Sequence, residues 1–386
     1  MNIFTLNSIA PIGLNRLNEG LVISDKIEDA NGILVRSAAM HDLALGDDLL
    51  AIARAGAGTN NIPIDKCTKR GIVVFNTPGA NANGVKELAI CSLILASRNI
   101  VTATDWAKTL EGQGDNVPKL VEKGKGQFVG PELVGKKLGV IGLGAIGVMV
   151  ANTAISLGMD VCGYDPFISI DAAWHLKGGV KRCTKIEEIY KECDYITLHL
   201  PATEKTKGMI NNEALAMMKD GVRILNLARG ELVTTKDIVE AVNTNKVACY
   251  VTDFPQEALL NVKNIVAIPH LGASTPESED NCAIMAVDQL QDYLLYGNIK
   301  NSVNMPNVEL TATQNSRICI FHENSPGMIS KLAGIASDNN VNIENMVNKS
   351  NNEIAYTILE LNDIPKEELI TGLTNIEGVL RLRVIE

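Results

Sequence analysis

Residues 137–165, KLGVIGLGAIGVMVANTAISLGMDVCGYD, decide the fold of this chain. They start with a short apolar run that is typical of a strand and pass through a glycine-rich turn into an apolar helical stretch that ends at Gly158. A second apolar run follows and ends at Asp165, so the pattern predicts a strand, a crossover helix and a parallel strand. A G-x-G-x-x-G spacing is weak by itself. Here it ends a strand, opens a helix and precedes an acid by about 20 residues, which makes it specific.

The glycine turn is predicted to hold a dinucleotide. Gly142 permits the tight turn, Gly144 lets the backbone approach a pyrophosphate, and Gly147 lets the helix pack closely on the strand, while the helix N-terminus faces the anion. Asp165 is expected to accept hydrogen bonds from the adenosine ribose, and its charge would repel a 2′-phosphate, so NAD is favoured over NADP. The predicted cofactor residues of the turn are Gly142, Gly144, Ala145, Ile146 and Gly147, with a purely structural turn as the alternative.

Strand-like and helix-like runs alternate outward from this unit. Upstream, β-rich runs and helical patterns predict a parallel sheet for residues 1–97. Asn83 is expected to cap a helix from Gly84 to about Ser97, and the glycine- and lysine-rich residues 98–131 are expected to form an irregular arm. Downstream, four more apolar runs, separated by helical patterns, extend the second sheet through residue 276.

The last seventy residues alternate as β-α-β-β-α-β, which is typical of a ferredoxin-like module with its own core. The fold class is therefore α/β, with two doubly wound parallel-sheet domains, one flavodoxin-like and one Rossmann, followed by this ferredoxin-like module. A long helix near 277–296 is expected to return the chain to the first domain. The predicted domains are a substrate-binding domain at 1–97 completed by 277–303, an NAD-binding domain at 98–276, a linker at 304–314 and a regulatory module at 315–386.

Composition excludes several classes of function. The 386 residues carry 35 Lys and Arg against 45 Asp and Glu, a net charge of −10, and the basic residues are scattered, which argues against a nucleic-acid partner. No apolar run is long enough to cross a membrane and the N-terminus lacks a secretory pattern. The eight cysteines contain no C-x-x-C pair and the five histidines no metal-ligand spacing. We therefore expect a cytoplasmic protein with reduced thiols and no metal site.

Three polar side chains follow predicted strands of the second sheet: Arg229, Glu257 and His270. The carboxyl ends of parallel strands line one crevice, so these side chains are expected to converge there. Arg229 can grip a carboxylate, His270 can take a hydroxyl proton, and Glu257 can orient the imidazole and stabilise its charged form. Taken singly, each has an ordinary structural explanation as an ion-pair partner, a loop-capping acid or a turn histidine.

The motifs together resemble the D-isomer-specific 2-hydroxyacid dehydrogenases over residues 1 to about 305. In that family the Arg, Glu and His of these motifs are the catalytic trio, which here fall on Arg229, Glu257 and His270. The tail, with FHENSPGMI and VNIENM, resembles an ACT regulatory domain. The segments that carry the family resemblance are RAGAGTNNIPID, NTPGANANGVKELA, VIGLGAIG, NLARGELV, DFPQEAL and PHLGAST.

The chain departs from the family pattern at two positions. The acid that usually lies near the nicotinamide carboxamide is displaced by one residue, because Thr252 stands in its place and Asp253 follows. Asp253 is the candidate to take over that cofactor contact. A lysine, Lys86, stands where the family usually has alanine, and it either meets the anionic substrate or is simply solvated.

The resemblance implies an anionic substrate that needs cations beyond Arg229. Loop arginines are the ordinary alternative for these side chains. The positions that the resemblance assigns to the substrate are Arg36, Ser37, Arg54, Gly56 and Asn81, with Lys86 as a further candidate.

The tail is predicted to sense an amino acid, with serine as the expected effector. His322, Asn324 and Asn342 match the residues that hold serine in the ACT domain that the tail resembles. Because Asn342 would come from a facing module, the site is expected to lie across a dimer of tails. A module that serves assembly alone is the alternative.

The resemblance implies NAD-dependent oxidation of a phosphorylated 2-hydroxy acid, D-3-phosphoglycerate, at the entry to serine biosynthesis, with feedback inhibition by serine. The family's habit implies a homodimer or homotetramer. One alternative is a glyoxylate or hydroxypyruvate reductase of the same family. Another is an NAD-sensing binding protein without catalysis.

Overall fold

The computed structural model describes residues 1–311, 315–351 and 353–385, and these form two compact units. The first unit contains residues 1–81 and 279–386, and the second contains residues 82–278. The sequence predicted the domain boundary after residue 97. In the structure the boundary lies before helix 82–98, which belongs to the second unit. Its apolar residues Ala89, Leu93 and Ala96 are buried in a core cluster with strands of the second unit, which explains the difference.

The first unit contains a five-stranded parallel sheet with the strand order β2-β1-β3-β4-β5, which is the flavodoxin-like order. Helix α11 (Pro276–Tyr296) returns to this unit and buries Ala286, Leu290 and Tyr293 in its core. These residues recur every three or four positions, so one face of the helix is apolar. The other elements are β1 (Asn2–Thr5), α1 (Pro11–Leu14), β2 (Val22–Ser24), β3 (Gly32–Val35), β4 (Ala51–Arg54), α2 (Ile64–Lys69) and β5 (Val73–Phe75).

The second unit contains a seven-stranded parallel sheet with the order β12-β11-β10-β9-β6-β7-β8. From the glycine turn outward this is the Rossmann order with one added strand. The strands are β6 (Lys137–Ile141), β7 (Asp160–Tyr164), β8 (Lys181–Arg182), β9 (Tyr195–Leu198), β10 (Val222–Asn226), β11 (Val247–Thr252) and β12 (Ile265–Ala267). The helices that cover it are α3 (Ala82–Arg98), α6 (Ala145–Ser156), α7 (Ile170–Trp174), α8 (Ile186–Glu192), α9 (Asn212–Met217) and α10 (Thr235–Asn243).

The segment at 98–131 is largely helical, so the expectation of an irregular arm was wrong. It contains α4 (Ile100–Lys108), α5 (Val117–Gly124) and two short 3₁₀ turns. The Trp106 and Phe128 rings lie 5.3 Å apart and pack the segment on itself, a long-range contact that local glycine content does not reveal. Within the described residues no single helix is long and apolar enough to span a membrane. Helices α3 and α4 meet the length and apolarity criteria only when they are taken together, and a 67° bend separates them.

Asn83 is not a helix cap. Helix α3 begins at Ala82, and the Asn83 side chain donates a hydrogen bond of 2.9 Å to Glu87 Oε1 one turn further on. The helix begins earlier than expected because the alanine and glycine around Asn83 are buried and fit a helical first turn.

The C-terminal module is an antiparallel sheet with the order β14-β15-β13-β16, as expected for a ferredoxin-like fold. It packs against the rest of the first unit, where Arg383 donates to the carbonyl oxygens of Tyr293 and Leu294 and Tyr356 donates to that of Gly297. Its elements are β13 (Ser316–Glu323), α12 (Met328–Asp338), β14 (Ile343–Asn351), β15 (Ile354–Leu361), α13 (Glu367–Thr374) and β16 (Val379–Ile385).

Part of the predicted linker at 304–314 is packed into the first unit. Asn304 is buried, accepts a hydrogen bond from the Val74 backbone N–H at 2.8 Å and donates to the Ile72 carbonyl at 2.9 Å. Met305 and Val308 lie in the apolar core. Residues 312–314 of the predicted linker lie outside the described residues. The chain therefore leaves the α/β domain through a hydrogen-bonded segment.

All eight cysteines are free thiols, and seven of them are buried. Burial raises the pKa of the Cys67 and Cys249 thiols to about 11. A thiol with a raised pKa is a poor nucleophile because the thiolate is scarce at neutral pH. These two cysteines are therefore packing residues.

Candidate active site

The glycine turn between β6 and α6 has the geometry that a dinucleotide requires. Gly142 has φ of +93°, and a Cβ there would lie 2.5 Å from the His199 carbonyl oxygen, so a side chain is excluded. A Cβ at Gly144 would meet nothing within 4 Å, so this face of the turn is open to a ligand. Helix α6 begins at Ala145, and the N–H groups of its first turn have no intrahelical acceptor. The turn leaves room for a pyrophosphate, the ligand that the sequence predicts for it.

Asp165 is fixed beside this turn. Its Oδ2 accepts a hydrogen bond from the Leu143 N–H at 2.9 Å, and its Oδ1 accepts one from the Phe167 N–H at 2.8 Å. Each carboxylate oxygen has a further lone pair, so the group can also accept hydrogen bonds from ribose hydroxyls. The residues that follow, Pro166 and Phe167, supply no cation for a 2′-phosphate.

The carboxyl ends of three neighbouring strands carry two of the predicted catalytic residues and the predicted cofactor residue Asp253. Arg229 follows β10, Asp253 follows β11 and His270 follows β12, and these strands are adjacent in the sheet. An open cavity of about 570 Å³ lies at this edge, with Gly230, Asp253, Phe254 and His270 in its lining. This volume is in the range of small-molecule sites.

A buried asparagine holds the loop that carries Arg229. Asn226 is fully buried, its Nδ2 donates to the Arg229 carbonyl at 2.8 Å, and its Oδ1 accepts a hydrogen bond from the Ala228 N–H at 3.3 Å. The Arg229 guanidinium is exposed and donates to the Ala228 carbonyl at 2.6 Å. Sequence reasoning missed Asn226, although a polar residue at the end of an apolar strand was the available signal.

His270 and Glu257 are not joined in this structure, contrary to expectation. The His270 ring packs on Phe254, with centroids 4.8 Å apart and an interplanar angle of 57°. Glu257 is exposed at the start of a 3₁₀ turn, Glu257–Leu259. Within the described residues no hydrogen bond or ion pair links the two side chains. The 3₁₀ turn leaves Glu257 in solvent, whereas Asp253, at the strand end, is buried beside the cavity.

Asp253 is the buried carboxylate of this cavity. It is 1% exposed, and its Oδ1 has no hydrogen-bond partner within the described residues. Burial raises the pKa of Asp253, while the charges of His270 and Arg229 act to lower it. The group therefore lies within electrostatic reach of both predicted catalytic side chains.

The first unit brings together Arg36 and Arg54, two of the predicted substrate residues. Asn7 Oδ1 accepts hydrogen bonds from the backbone N–H groups of Arg36, Ser37 and Ala38 at 3.2, 3.2 and 2.9 Å, which fixes the loop after β3. Arg54 Nε donates to the Arg36 carbonyl at 2.9 Å. Sequence reasoning missed Asn7, which lies far from these residues in the chain.

The Arg36 guanidinium forms an ion pair with Glu279. Both side chains are more than 40% exposed, at 44% and 43%. A cation that already holds a carboxylate has the geometry to hold another anionic group in its place. Glu279 was not among the predicted residues, since nothing in the local pattern connects it with Arg36.

The other predicted substrate residues are Gly56, Asn81 and Lys86. A side chain at Gly56 would crowd the Arg54 guanidinium, whose Cζ would lie 3.3 Å from the added Cβ. Asn81 lies in the turn before α3. Lys86 Nζ lies 3.5 Å from Glu87 Oε1, and its side chain is 18% exposed, so it is not the fully solvated lysine that was one alternative.

The predicted effector residues lie at two ends of the C-terminal sheet. His322 pairs with Ala355 in the strand ladder, whereas Ile343, next to Asn342, pairs with Leu361 six residues further along β15. At about 3.3 Å per residue the two ends are roughly 20 Å apart. Side chains from one module therefore cannot close on one small ligand.

His322 is engaged within its own module. It is 1% exposed, with Nδ1 2.8 Å from the Glu323 carbonyl oxygen and Nε2 2.8 Å from Thr357 Oγ1. Thr357 Oγ1 in turn donates to Asn348 Oδ1 at 2.8 Å. In this conformation the imidazole connects β13 to β15, Thr357 extends the connection to β14, and neither ring nitrogen is free, which the sequence could not show. Asn342 is exposed and donates to Glu344 Oε1 at 2.6 Å.

Comparison with known proteins places the second unit in a defined family. Residues 90–272 match the model for the D-isomer specific 2-hydroxyacid dehydrogenase, NAD binding domain. The D-3-phosphoglycerate dehydrogenase of Haemophilus influenzae is 30% identical over 390 residues, which cover 95% of this chain and 89% of that protein. The D-3-phosphoglycerate dehydrogenase of Methanocaldococcus jannaschii is 37% identical over 293 residues, which cover 74% of this chain and 53% of that protein. The chain thus spans about half the length of the second relative.

A solved structure has the same fold. The crystal structure of NAD⁺-bound 3-phosphoglycerate dehydrogenase from Entamoeba histolytica is 30% identical, with a TM-score of 0.61, and the match covers 79% of this chain and 98% of that chain. The comparison agrees with the Rossmann-type sheet found here.

Proposed function

Because the chain belongs to the D-isomer-specific 2-hydroxyacid dehydrogenase family, we propose that it oxidises D-3-phosphoglycerate to 3-phosphohydroxypyruvate with NAD, at the entry to serine biosynthesis. The observation that carries the proposal is the placement of Arg229 after β10 and of His270 after β12, the two strands that flank β11 in the sheet that also holds the glycine turn. Two relatives are named for the same activity. Each is at least 30% identical to this chain, and the chain matches it over most of its length.

The cofactor fits the residues on the second unit. The first-turn N–H groups of α6 would hold the pyrophosphate, and Asp165 would hold the adenosine ribose. Asp253 is a candidate contact for the nicotinamide carboxamide, through its unpartnered oxygen. When bound, NAD supplies the nicotinamide ring that accepts the hydride from C2 of the substrate.

Side chains of this protein bind the substrate and accept its proton. Arg229 holds the substrate carboxylate with its planar guanidinium, and Arg36, Ser37 and Arg54 form the cluster that we assign to the phosphate. His270 accepts the hydroxyl proton at a ring nitrogen as the C2 hydride leaves. We assign to Glu257 the orienting role that the family resemblance implies.

A substrate panel with NAD tests the proposal. The kcat/KM for D-3-phosphoglycerate is expected to exceed that for D-glycerate at least 100-fold, which corresponds to about 2.7 kcal/mol of phosphate binding. His270→Ala is expected to lower kcat about 10²- to 10⁴-fold. Arg229→Ala should impair turnover strongly, whereas Arg182→Ala, at an exposed arginine on the edge strand β8, should not.

The alternatives predict different results from the same panel. Equal or higher kcat/KM with unphosphorylated hydroxy acids would identify a glyoxylate or hydroxypyruvate reductase. NAD binding without turnover of any hydroxy acid would identify a non-catalytic NAD sensor.

We also propose that the C-terminal module is an ACT domain that binds serine across a dimer of modules. The separation of roughly 20 Å between His322 and Asn342 within one chain supports a site shared between two copies, with Asn324 as the third contact. Because His322 is buried and bonded, serine would have to displace its Glu323 or Thr357 partner. Serine is expected to lower the rate through a coupling of about 1–3 kcal/mol. Equal rates with and without saturating serine would refute this regulation.

We propose a homodimer or homotetramer in the cytoplasm. The buried, unpaired cysteines support a reducing compartment. Light scattering of the purified protein, with and without serine, measures the assembly.

A further inference from the structure

We propose that Cys162, Cys183 and Cys193 form a thiol switch in the second unit, in which hydrogen peroxide converts the Cys162–Cys193 pair into a disulfide and thereby weakens NAD binding. The inference goes beyond the proposed dehydrogenase function. It rests on the contact between two thiols, on a third thiol beside them near the surface, and on the short path from this cluster to the predicted cofactor residues.

The sulfur atoms of Cys162 and Cys193 are in direct contact. They lie 3.3 Å apart, and the two residues are 3% and 0% exposed. Cys162 lies in β7 and Cys193 directly follows α8, so the pair joins a strand to the end of a helix that packs on the sheet. A Cβ on Gly139 in β6 would lie 2.9 Å from the Cys193 sulfur, so this thiol is pressed against the sheet. Two sulfurs held in this way need only a small displacement to reach bonding distance.

Cys183 is the third thiol of the cluster. It follows β8, which pairs with β7, and it shares a core cluster and a hydrogen bond with Cys162. At 5% exposed it is the closest of the three to solvent, and its neighbours Arg182 and Thr184 are exposed. A small oxidant therefore reaches Cys183 first. The described part of the chain shows no group of histidine, cysteine and acidic side chains arranged to hold a metal ion, so we assign redox chemistry to the cluster.

The reaction is a two-electron oxidation by hydrogen peroxide. The Cys183 sulfur attacks one peroxide oxygen, the O–O bond breaks, and the thiol proton joins the leaving hydroxide as water, which leaves a sulfenic acid. The Cys162 thiol attacks the sulfenic sulfur, forms a disulfide and releases a second water. Cys193 then attacks the Cys162 sulfur, and Cys183 leaves and recovers a proton. In sum, two thiols and one hydrogen peroxide give one disulfide and two waters.

The cluster is expected to react slowly, and only while oxidant persists. The contact with Cys193, together with burial, raises the pKa of the Cys162 thiol well above its usual range, and burial raises the pKa of Cys183 to about 12. Thiolates are therefore scarce at neutral pH, which keeps the cluster reduced in an ordinary cytosol. Once one thiol is oxidised, its neighbour is already in contact, so the second step is intramolecular and faster.

The disulfide acts on the cofactor residues through β7. Gly163 follows Cys162, and a Cβ there would lie 2.8 Å from Leu143 Cδ1 in the glycine turn. The Leu143 N–H donates to Asp165, which lies just beyond the end of β7. A close-packed core transmits a displacement instead of absorbing it. Drawing Cys162 toward Cys193 therefore disturbs the turn and the acid together, and NAD affinity is expected to fall.

Peptide mapping after oxidation tests the disulfide directly. Trypsin places the three cysteines in separate peptides, residues 138–177, 183–185 and 192–205. The full-length protein is treated with hydrogen peroxide until the exposed Cys91 is oxidised, free thiols are blocked, and the unreduced digest is analysed by mass spectrometry. We expect the first and third peptides to be linked, and the link to disappear with dithiothreitol.

Two outcomes of the map would overturn the proposal. In one, Cys162 and Cys193 remain free thiols while Cys91 is oxidised. In the other, the stable link joins Cys162 to Cys183, which would show that the pair is assigned wrongly.

Variants separate the roles within the cluster. Cys193→Ala should abolish the link. Cys183→Ala should slow its formation at least about tenfold, because access of the oxidant limits the rate, and an unchanged rate would refute the entry role of Cys183. Cys249→Ala, at a buried thiol of another core cluster, is the matched control and should change neither. Thermal unfolding shows whether each variant folds, and if Cys193→Ala does not, the wild-type map decides.

NAD titration calorimetry measures the consequence of the disulfide. We expect the Kd for NAD to rise about fivefold or more after oxidation, the lower end of typical coupling between two sites, and to recover with dithiothreitol. Cys193→Ala given the same treatment should keep its Kd. A disulfide that forms without any change in the Kd would overturn the switch. Neither measurement depends on turnover, so both can be interpreted even if the proposed function fails.

Discussion

A methyl group on Gly147 would lie 1.9 Å from the carbonyl oxygen of Gly142. The first turn of α6 therefore rests directly on the end of β6, and only glycine allows this approach. Three residues earlier, a methyl group on Gly144 would meet no atom within 4 Å. The same turn thus contains one glycine that the fold requires and one that it does not.

Gly147→Ala is expected to destabilise the second unit by more than about 3 kcal/mol, because backbone atoms must move to relieve the overlap. Gly144→Ala is the matched variant: it should unfold at nearly the wild-type temperature yet lose NAD affinity, since the added methyl occupies the approach to the pyrophosphate. Thermal unfolding and NAD titration calorimetry measure both. Normal NAD affinity in a folded Gly144→Ala protein would show that the turn is not part of the cofactor site.

Asp165→Asn is expected to raise the ratio of NADP to NAD kcat/KM at least tenfold, or about 1.4 kcal/mol. The amide keeps one acceptor oxygen but removes the charge that repels a 2′-phosphate. Initial rates with the two cofactors give the ratio. An unchanged ratio would mean that Asp165 serves only to accept hydrogen bonds from the Leu143 and Phe167 N–H groups.

Glu279→Gln is expected to lower the KM for a phosphorylated substrate about two- to tenfold. The glutamate forms an ion pair with Arg36, and the loss of its charge frees the guanidinium for the substrate. Asp288→Asn is the control, because Asp288 lies on the same helix and pairs with Arg16 instead. If both variants change KM equally, Arg36 does not hold the substrate.

Acid should destabilise the second unit through His199. Burial lowers the pKa of His199 to about 4, whereas an unfolded histidine has a pKa of about 6.5. Between these pH values the unfolded chain binds more protons, so the free energy of unfolding falls as the pH falls, by about 3 kcal/mol in total. Above pH 6.5 this contribution is constant.

His199→Gln should flatten this dependence between pH 4 and pH 6.5, since glutamine can keep the hydrogen bond to Thr197 without titrating. Denaturant unfolding at pH 4.5, 5.5 and 7 measures it. His175→Gln, at an exposed histidine of the same unit, should retain the wild-type slope.

Glu360→Gln is expected to destabilise the first unit by about 3–5 kcal/mol, because it leaves the buried Arg317 guanidinium without a counter-charge. The two side chains are only 3% and 5% exposed, and Arg317 also donates to the Tyr296 carbonyl at 2.8 Å. Glu309→Gln, which breaks an exposed pair with Lys300, should cost less than about 1 kcal/mol. A double replacement, Arg317→Met with Glu360→Leu, should recover most of the loss. Thermal unfolding measures all three.

The glycine turn could be predicted from the sequence because every requirement on it is local. Strand, turn and helix patterns follow one another within 29 residues, and the clash at Gly147 arises between neighbours in the chain. The strand ends that carry Arg229 and His270 were predictable for a similar reason, since parallel strands in a doubly wound sheet end at one edge.

The predictions that failed depend on contacts between distant residues. In the helical 98–131 segment Trp106 packs on Phe128, and Asn83 lies inside a helix between the buried residues Ala82 and Gly84. Neither a high glycine content nor a residue type that often caps helices indicates that such contacts form.

The sequence by itself determined the layered architecture, the cofactor turn and the candidate residues Arg229 and His270, since periodicity and turn chemistry act between near neighbours. Only the tertiary structure decided which of the two acids after β11 is buried and which anion holds Arg36. Asp253 and Glu257 are four residues apart in the chain. Strand register and the 3₁₀ turn bury one and expose the other, and register is set by pairing with distant strands.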